Sequence, residues 1–513
     1  PASARPLVLR QIPIWENGVA TGYVDLASER AYVYREHAES QVIELPKSIA
    51  DREKEARFQM LEKLADYDDE LMEQLLSDMP PEKTRVFGDL TKELRESLIV
   101  PVLLGSAEHG NGILRLLKAL RHEAPTVADT ARRLKVENAK SSAYVLKNVH
   151  TKSGGKLSFV RVLTGEIPDS ATIVGRDGKE ERVAGIFTIK GEETAKRGAA
   201  KAGETVALGR LEHIGAGETI TTEKSGVVQI KAADAPEAVY AVGLGLKDRK
   251  DEVKLSAAVA KLVEEDPSLR VEHTTDTHQI LLFGQGEMHL RVALERLARK
   301  YGIEVNREPR KIAYKETIRS ATEVRGRHKK QSGGHGQFGD VKIEIKPLPR
   351  GGGITFDETI TGGAVPRNYI PSVEIGVRDY LDEGPLGFPV VDVAVTLTDG
   401  SYHTVDSSDM AFRQAGRLAM QEGMPKCTPL LLEPIMAVDI VVPSEANSRI
   451  NGIISQRRGQ ILGFDGRDGW PAWDVIQAHI PASEMDSLIV DLRSATSGVG
   501  SFTARFDHLS ELT

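Results

Sequence analysis

Four fixed positive charges, Arg325, Arg327, Lys329 and Lys330, fall within residues 325–331 with no acid among them. A glycine-rich run, QSGGHGQFG, follows directly. Glycine lets a backbone come close to a ligand, and lysine and arginine supply contacts to phosphate. A second polar run, DGSYHTVDSSD, covers residues 399–409. Gln331, Gln337, Ser401, Tyr402 and His403 carry groups that hydrogen-bond to sugars and base edges or stack on bases. The chemistry these residues offer is recognition of an RNA backbone. The competing reading is a mobile, solvent-exposed turn.

Other chemistries find less support. A phosphate-binding loop of the form GxxxxGK[ST] is absent: Lys156 follows Gly154 and Gly155 but precedes leucine, and the earlier glycine is missing. An NKxD guanine motif is absent too. No nucleotide hydrolysis by that machinery is expected of these residues, and no catalytic residue is assigned. Gly105-Ser106-Ala107 lies between a strand-like run and a helix-like run. Its backbone N–H groups could serve a guanine oxygen, but taken alone the tripeptide is weak and a plain strand-to-helix turn is the favoured reading. The thirteen histidines are scattered and Cys427 is the one cysteine, with no HExxH or CxxC spacing, so no metal site is expected. His289 reads as a satisfied histidine on a helix face. Ser407 and Ser408 read as a helix cap rather than as nucleophiles.

The chain has 513 residues, enough for about three to five domains at roughly 100–200 residues each. Hydrophobic residues make up 40% and charged residues 28%, an ordinary globular balance. The net charge of −8 places any polyanion contact in local patches. A single cysteine rules out an intrachain disulfide and fits a reducing cytoplasm. No apolar run of about 18 residues and no signal peptide is present, which argues against membrane and secreted classes.

The elements that would position these residues follow from periodicity. Residues 51–79 carry Phe58, Leu61, Leu64, Leu71 and Leu75 at helical spacing, with ten acids against four bases. They predict a helical hairpin or long helix with an acidic face, either solvated or a docking surface for a basic partner. Residues 99–121 predict a buried strand, a turn and an amphipathic helix. Residues 141–226 alternate short strands with glycine turns, the pattern of a closed barrel. Residues 238–306 and 433–507 each read as a split βαβ, ferredoxin-like unit. Between them, residues 310–430 predict a mixed α/β region with strands near 341–347, 354–361 and 390–397 and helices over 366–382 and 406–423.

Together these segments resemble the bacterial elongation factor G family. The resemblance rests on EEDPSLRVE, GQGEMHLRVALERL, AYKETI, KQSGGHGQFG, PRNYIPSV, GSYHTVDSSDMAF, LLLEPIM, RRGQI and LRSATSG, in the family's order and across nearly the whole chain. It implies a multidomain α+β fold. Residues 1–127 would be the rear part of an α/β P-loop GTPase domain with its insert, and 128–230 the domain II β-barrel. Residues 236–309 would be ferredoxin-like domain III, 310–430 the elongated α/β domain IV, and 431–513 ferredoxin-like domain V. It also implies a P-loop, switch regions and NKxD motif upstream of Pro1, as expected of a chain truncated at its N-terminus. GTP with Mg2+ would then belong to the intact protein and not to this chain.

Site residues follow from the same resemblance. Ser106 and Ala107 match the last guanine-contacting element. Lys329, Lys330, Gln331, Gly333, Gly334, His335, Gln337, Ser401, Tyr402 and His403 match the domain IV tip, which enters the A site and faces the tRNA–mRNA duplex. The implied partners are the 70S ribosome, its RNA, the tRNA–mRNA pair and the ribosomal stalk protein, met by a cytoplasmic monomer. Some positions depart from the family. His335 stands where arginine is usual and Phe338 where tyrosine is. Asp486-Ser487-Leu488 replaces Phe-Gly-Tyr, Gly498-Val499-Gly500 replaces Gly-Arg-Ala, and a final helix is missing. These mark a divergent, elongation-factor-G-like paralogue. Translocation is the leading expectation. A recycling or ribosomal-protection factor, or a non-catalytic RNA-binding module, are the alternatives.

Overall fold

The structure, a computed structural model, describes residues 3, 5–151, 155–191, 193–224, 228–246, 252–330 and 336–512. The chain forms two compact units, residues 1–235 with 261–267, and residues 236–260 with 268–513. No helix among the described residues is long and apolar enough to cross a membrane.

In the first unit a parallel strand pair, Leu7–Leu9 with Val100–Val102, sits beside a four-stranded antiparallel meander. The meander runs Gln11–Glu16, Val19–Asp25, Arg30–Val33 and Gln41–Ile43. The acidic stretch forms a helical hairpin, Ala50–Ala65 and Asp69–Leu76, with the Asp68 carboxylate accepting the Leu71 N–H as an N-cap. Met60, Leu61, Leu64 and Leu71 enter the core, but Phe58 is exposed. It lies two positions from both Ala56 and Met60, on the far side of a roughly 3.6-residue turn. Farther on, the stretch with the barrel pattern forms a six-stranded antiparallel sheet and two short ribbons, 166–168 with 199–201 and 172–174 with 180–182. Val145, Val160, Ile167, Ile173, Ile186, Leu208 and Ile220 form one core shared by all three.

The second unit contains two sheets with the ferredoxin-like strand order. In the first, Arg270–Thr274, Gln279–Gly284, Tyr240–Leu246 and Val305–Glu308 lie side by side. In the second, the long strand Pro429–Pro443 pairs with Ser501–Glu511 on one side and Trp473–Pro481 on the other, with Gln460–Gly466 beyond. The Leu432 end of the long strand also pairs with Lys315–Ile318.

Between these sheets in sequence lies a four-stranded sheet ordered Thr322–Lys330, Gln337–Pro347, Val393–Ser401, Ile354–Glu358. Helices Ile370–Leu381 and Asp409–Gly423 cover one face, with Val324, Val341, Ile343, Val373, Val377, Val395, Leu397 and Phe412 in the core. The second helix sits unusually close to the sheet. A Cβ on Gly326 would run into the Ala415 carbonyl and the Ala419 nitrogen, and one on Gly339 would lie 2.5 Å from the Ala411 carbonyl oxygen. The helices approach each other just as closely, since a Cβ on Gly376 would strike the Arg413 carbonyl.

Overpacking such a contact costs about 1–3 kcal/mol. Gly339→Ala is therefore expected to speed hydrogen exchange in helix Asp409–Gly423 by roughly tenfold to a hundredfold. Gly452→Ala, whose Cβ would meet nothing within 4 Å, should instead slow exchange in helix Asn447–Gln456, because alanine is the better helix former by roughly 0.5–1 kcal/mol.

Candidate nucleic-acid interface

The glycine-rich run is less of a loop than its composition predicts. Lys329 and Lys330 end one strand of a hairpin and Gln337 begins the next, with Lys329 opposite Phe338 and Lys330 opposite Gln337. Gln331, Gly333, Gly334 and His335, which lie between these strands in sequence, fall outside the described residues.

Strand alternation sorts the cations. Val324, Gly326 and Gly339 turn toward the helices, while Arg325, Arg327 and Lys329 are exposed on the other face. These three do not remain equivalent. Arg325 grips Asp340 with both arms of its guanidinium, Nε to Oδ1 at 2.8 Å and Nη2 to Oδ2 at 2.6 Å. Ser401 donates its hydroxyl to Asp340 Oδ2 at 2.6 Å. Asp340 thus ties three neighbouring strands together, the edge strand Thr322–Lys330 and the two central ones, and Arg325 and Ser401 serve it. Arg327 lies over the Phe338 ring, 5.3 Å from its centroid. Arg325 stays exposed but is paired; Arg327, Lys329 and Lys330 are the exposed cations at this end of the sheet with no ion pair to a described acid.

The second polar run is bound to the first. Asp406 accepts the Phe338 N–H on its carbonyl at 2.8 Å and the Gly336 N–H on Oδ1 at 3.0 Å. Ser407 donates its hydroxyl to the Phe338 carbonyl at 2.9 Å, and accepts the His403 N–H at 2.9 Å. Ser408, not Ser407, caps the helix, accepting the Ala411 N–H at 3.3 Å. The NYIPS segment supports the junction from the neighbouring helix. Tyr369 stacks on Phe412 at 4.8 Å and donates to the Ser407 carbonyl at 3.3 Å, and Ser372 donates to Asp409 Oδ1 at 2.8 Å.

His403 is held but open. Its Nδ1 accepts the Asp406 N–H at 3.2 Å and, more weakly, the Val405 N–H at 3.4 Å. The same nitrogen lies 3.2 Å from Asp406 Oδ2, so this edge of the ring is engaged and Nε2 is the nitrogen turned to a ligand on a half-exposed side chain. The His403 ring stands edge-on to Phe338 at 6.4 Å. Tyr402 is 48% exposed. Gln337 Oε1 lies 3.0 Å from His328 Nε2. An exposed phenol, an imidazole and three cations at one end of a rigid sheet can contact phosphates and stack on or hydrogen-bond to bases.

The residues matched to a guanine site lie in the first unit. The Ser106 N–H is donated to the Asn111 carbonyl at 2.9 Å, and the Ala107 carbonyl accepts the Gly110 N–H at 3.3 Å. The Ser106 N–H is thus engaged within the turn. His289 Nδ1 accepts the Gln285 N–H at 3.0 Å at the start of its helix. Sequence reading did not find Asp340, Asp406 or Ser407. Their functional signal is an acid or hydroxyl flanking a cationic run, and acids there read as ordinary surface.

Burial alone would raise the Asp340 carboxyl, but the hydrogen bonds from Arg325 and Ser401, with the charges of Arg325 and Arg327, outweigh it and hold it below its ordinary 3.8. Its contribution to stability is complete above that ordinary value and is lost as pH falls through the lower, folded one. Asp340→Asn should cost about 2 kcal/mol of hairpin stability at neutral pH. In native-state exchange or urea unfolding, its gap to the parent should close below about pH 4.

Three family profiles match. Residues 310–428 match elongation factor G, domain IV, residues 235–309 match elongation factor G, domain III, and residues 430–513 match the elongation factor G C-terminus. An elongation factor G-like protein of Synechocystis sp. is 48% identical over 513 residues, 99% of this chain and 76% of the relative. A crystal structure of a protein from Thermus thermophilus superposes with a TM-score of 0.76 at 31% identity, over 99% of this chain and 75% of the other.

Proposed function

This chain belongs to the elongation factor G family of translation factors, and from that premise we propose that it acts on the ribosome by inserting the cross-tied tip of residues 310–430 into the decoding-side A site. There Arg327, Lys329, Lys330, Tyr402 and His403 would meet the tRNA–mRNA backbone during translocation. The observation that carries this reading is the pair of polar runs bonded to each other through Asp406 and Ser407 at one end of the sheet. A wedge against RNA must be stiff as well as cationic, and this one rests on two helices and a buried carboxylate.

The remaining parts of the proposal are coarser. GTP with Mg2+ drives the step in this family, and Ser106 and Ala107 are proposed as the remnant of its guanine contact. The acidic face of helices Ala50–Ala65 and Asp69–Leu76 suits a basic partner such as the ribosomal stalk. Residues 1–127, 128–230, 236–309, 310–430 and 431–513 are proposed as the five domain segments of a cytoplasmic monomer.

His403→Ala and Lys330→Ala should each slow tRNA–mRNA movement, read by toeprinting on 70S complexes with the complete gene product, by roughly tenfold. Removal of a single charge-assisted or stacking contact is worth about 1–3 kcal/mol. Both variants should melt like the parent, since both side chains are exposed. Parent protein that binds 70S ribosomes and splits subunits without moving tRNA would replace translocation by recycling. Absence of GTP-dependent ribosome binding would reject the ribosomal reading altogether.

A further inference from the structure

The C-terminal sheet carries a second cluster of chemically capable side chains, away from the tip loops. His479 lies on strand Trp473–Pro481, and Asp507 and His508 lie on strand Ser501–Glu511. The two strands are not neighbours; the long strand Pro429–Pro443 runs between them. Two features bring the three side chains together. The first is a β-bulge: Met436 pairs with Phe506 and Ile435 with His508, so Asp507 is the extra residue. An extra residue breaks the strict alternation and lets Asp507 and His508 address the same face. The second is the small residue between them. His479 lies opposite Ala437 on the central strand, and a methyl group there leaves the space above the strand open.

The resulting geometry is tight. His508 Nδ1 lies 2.7 Å and His479 Nε2 3.5 Å from the same oxygen, Asp507 Oδ2. The imidazole rings are 5.3 Å apart. One available ligand atom from each residue falls within 4.8 Å of the other two, and this is the only such group of histidine, cysteine and carboxylate side chains among the described residues. Bonds of about 2.1 Å in a tetrahedral site place neighbouring ligand atoms about 3.4 Å apart. The His479–Asp507 distance already meets that spacing; the His508–Asp507 pair at 2.7 Å would open slightly, and the two imidazole nitrogens already lie within 4.8 Å.

We propose that His479 Nε2, His508 Nδ1 and Asp507 Oδ2 form a three-ligand site for a borderline divalent transition ion of the zinc class, with water or an external donor in the fourth position. Two imidazoles and one carboxylate suit zinc, copper or nickel and not the hard ions magnesium and calcium, which take all-oxygen sets. The ion replaces the hydrogen bond between His508 and Asp507, and the neutral His508 ring keeps its proton on Nε2 by exchange through solvent. The side chains are 24%, 36% and 49% exposed, so an ion can enter without opening the fold. Arg505, opposite Ala437 on the same strand, acts on the charge of Asp507 and opposes a cation there.

The test is titration of the chelator-treated 513-residue chain with Zn2+ by calorimetry, and with Co2+ followed by its visible ligand-field spectrum. One ion per chain is expected, with no heat from Mg2+. His479→Ala and His508→Ala should each weaken binding by roughly tenfold or more, and Arg505→Ala should tighten it. Circular dichroism and melting of the variants should match the parent. Absence of Zn2+ binding overturns the proposal. So does binding that persists unchanged in the His479→Ala/His508→Ala double variant, because the ion would then sit elsewhere.

Discussion

The seat of helix Asp409–Gly423 on its sheet is the constraint from which the tip follows. Gly326 and Gly339 leave no side chain between helix and strands, so helix backbone rests almost directly on sheet backbone. The helix begins three residues after Asp406 and two after Ser407. A helix lowered onto the hairpin therefore delivers those two residues to the hairpin's own end, where they bond Gly336 and Phe338. Bulkier residues in the two strands would lift the helix, and the two polar runs would part. The glycines in and near the tip consequently have different tasks. Gly339 admits a helix, while Gly336 places its N–H against a carboxylate.

Charge is distributed with the same economy. A cationic stretch on a hairpin repels itself, and Asp340 relieves that by holding Arg325 in a bidentate pair. The cost of burying the carboxylate is offset by three hydrogen bonds from two partners. The exposed cations without an ion pair to a described acid, Arg327, Lys329 and Lys330, are those nearest Phe338 along the hairpin. Non-specific recognition of a phosphate backbone asks for this arrangement, fixed charges on a preorganised support.

The departures from the usual family pattern are accommodated locally. Ser487 adopts φ 59 where a glycine is usual, and Arg457 steadies the turn by donating to the Ser487 hydroxyl at 3.0 Å and the Asp486 carbonyl at 2.8 Å. Phe338 lacks the hydroxyl of a tyrosine but keeps the ring that Arg327 covers. Val499 is half-exposed and uncharged in the C-terminal segment. Leu488 of the same triplet is buried in the C-terminal core, while Asp486, Ser487 and Val499 are exposed and bear on what the surface meets.

The sequence by itself determined the family and the multidomain α+β class, because hydrophobic periodicity and glycine turns are local signals and several long motifs recur in one order. It also located both polar runs of the tip. Tertiary structure decided which of their residues face outward. Arg325 looked like a free cation and Ser401 like a ligand contact until a buried aspartate fifteen residues from one and sixty-one from the other claimed both. Phe58 fitted a helical stripe that the packed helix turned to solvent. Ser106 lost its N–H to Asn111 across a tight turn. His479 and His508, on strands separated by a third, show no spacing in the chain that marks them as a pair. For all but Phe58 and Ser106 the deciding partner is distant in sequence, and only strand register and the angle of packing bring it near.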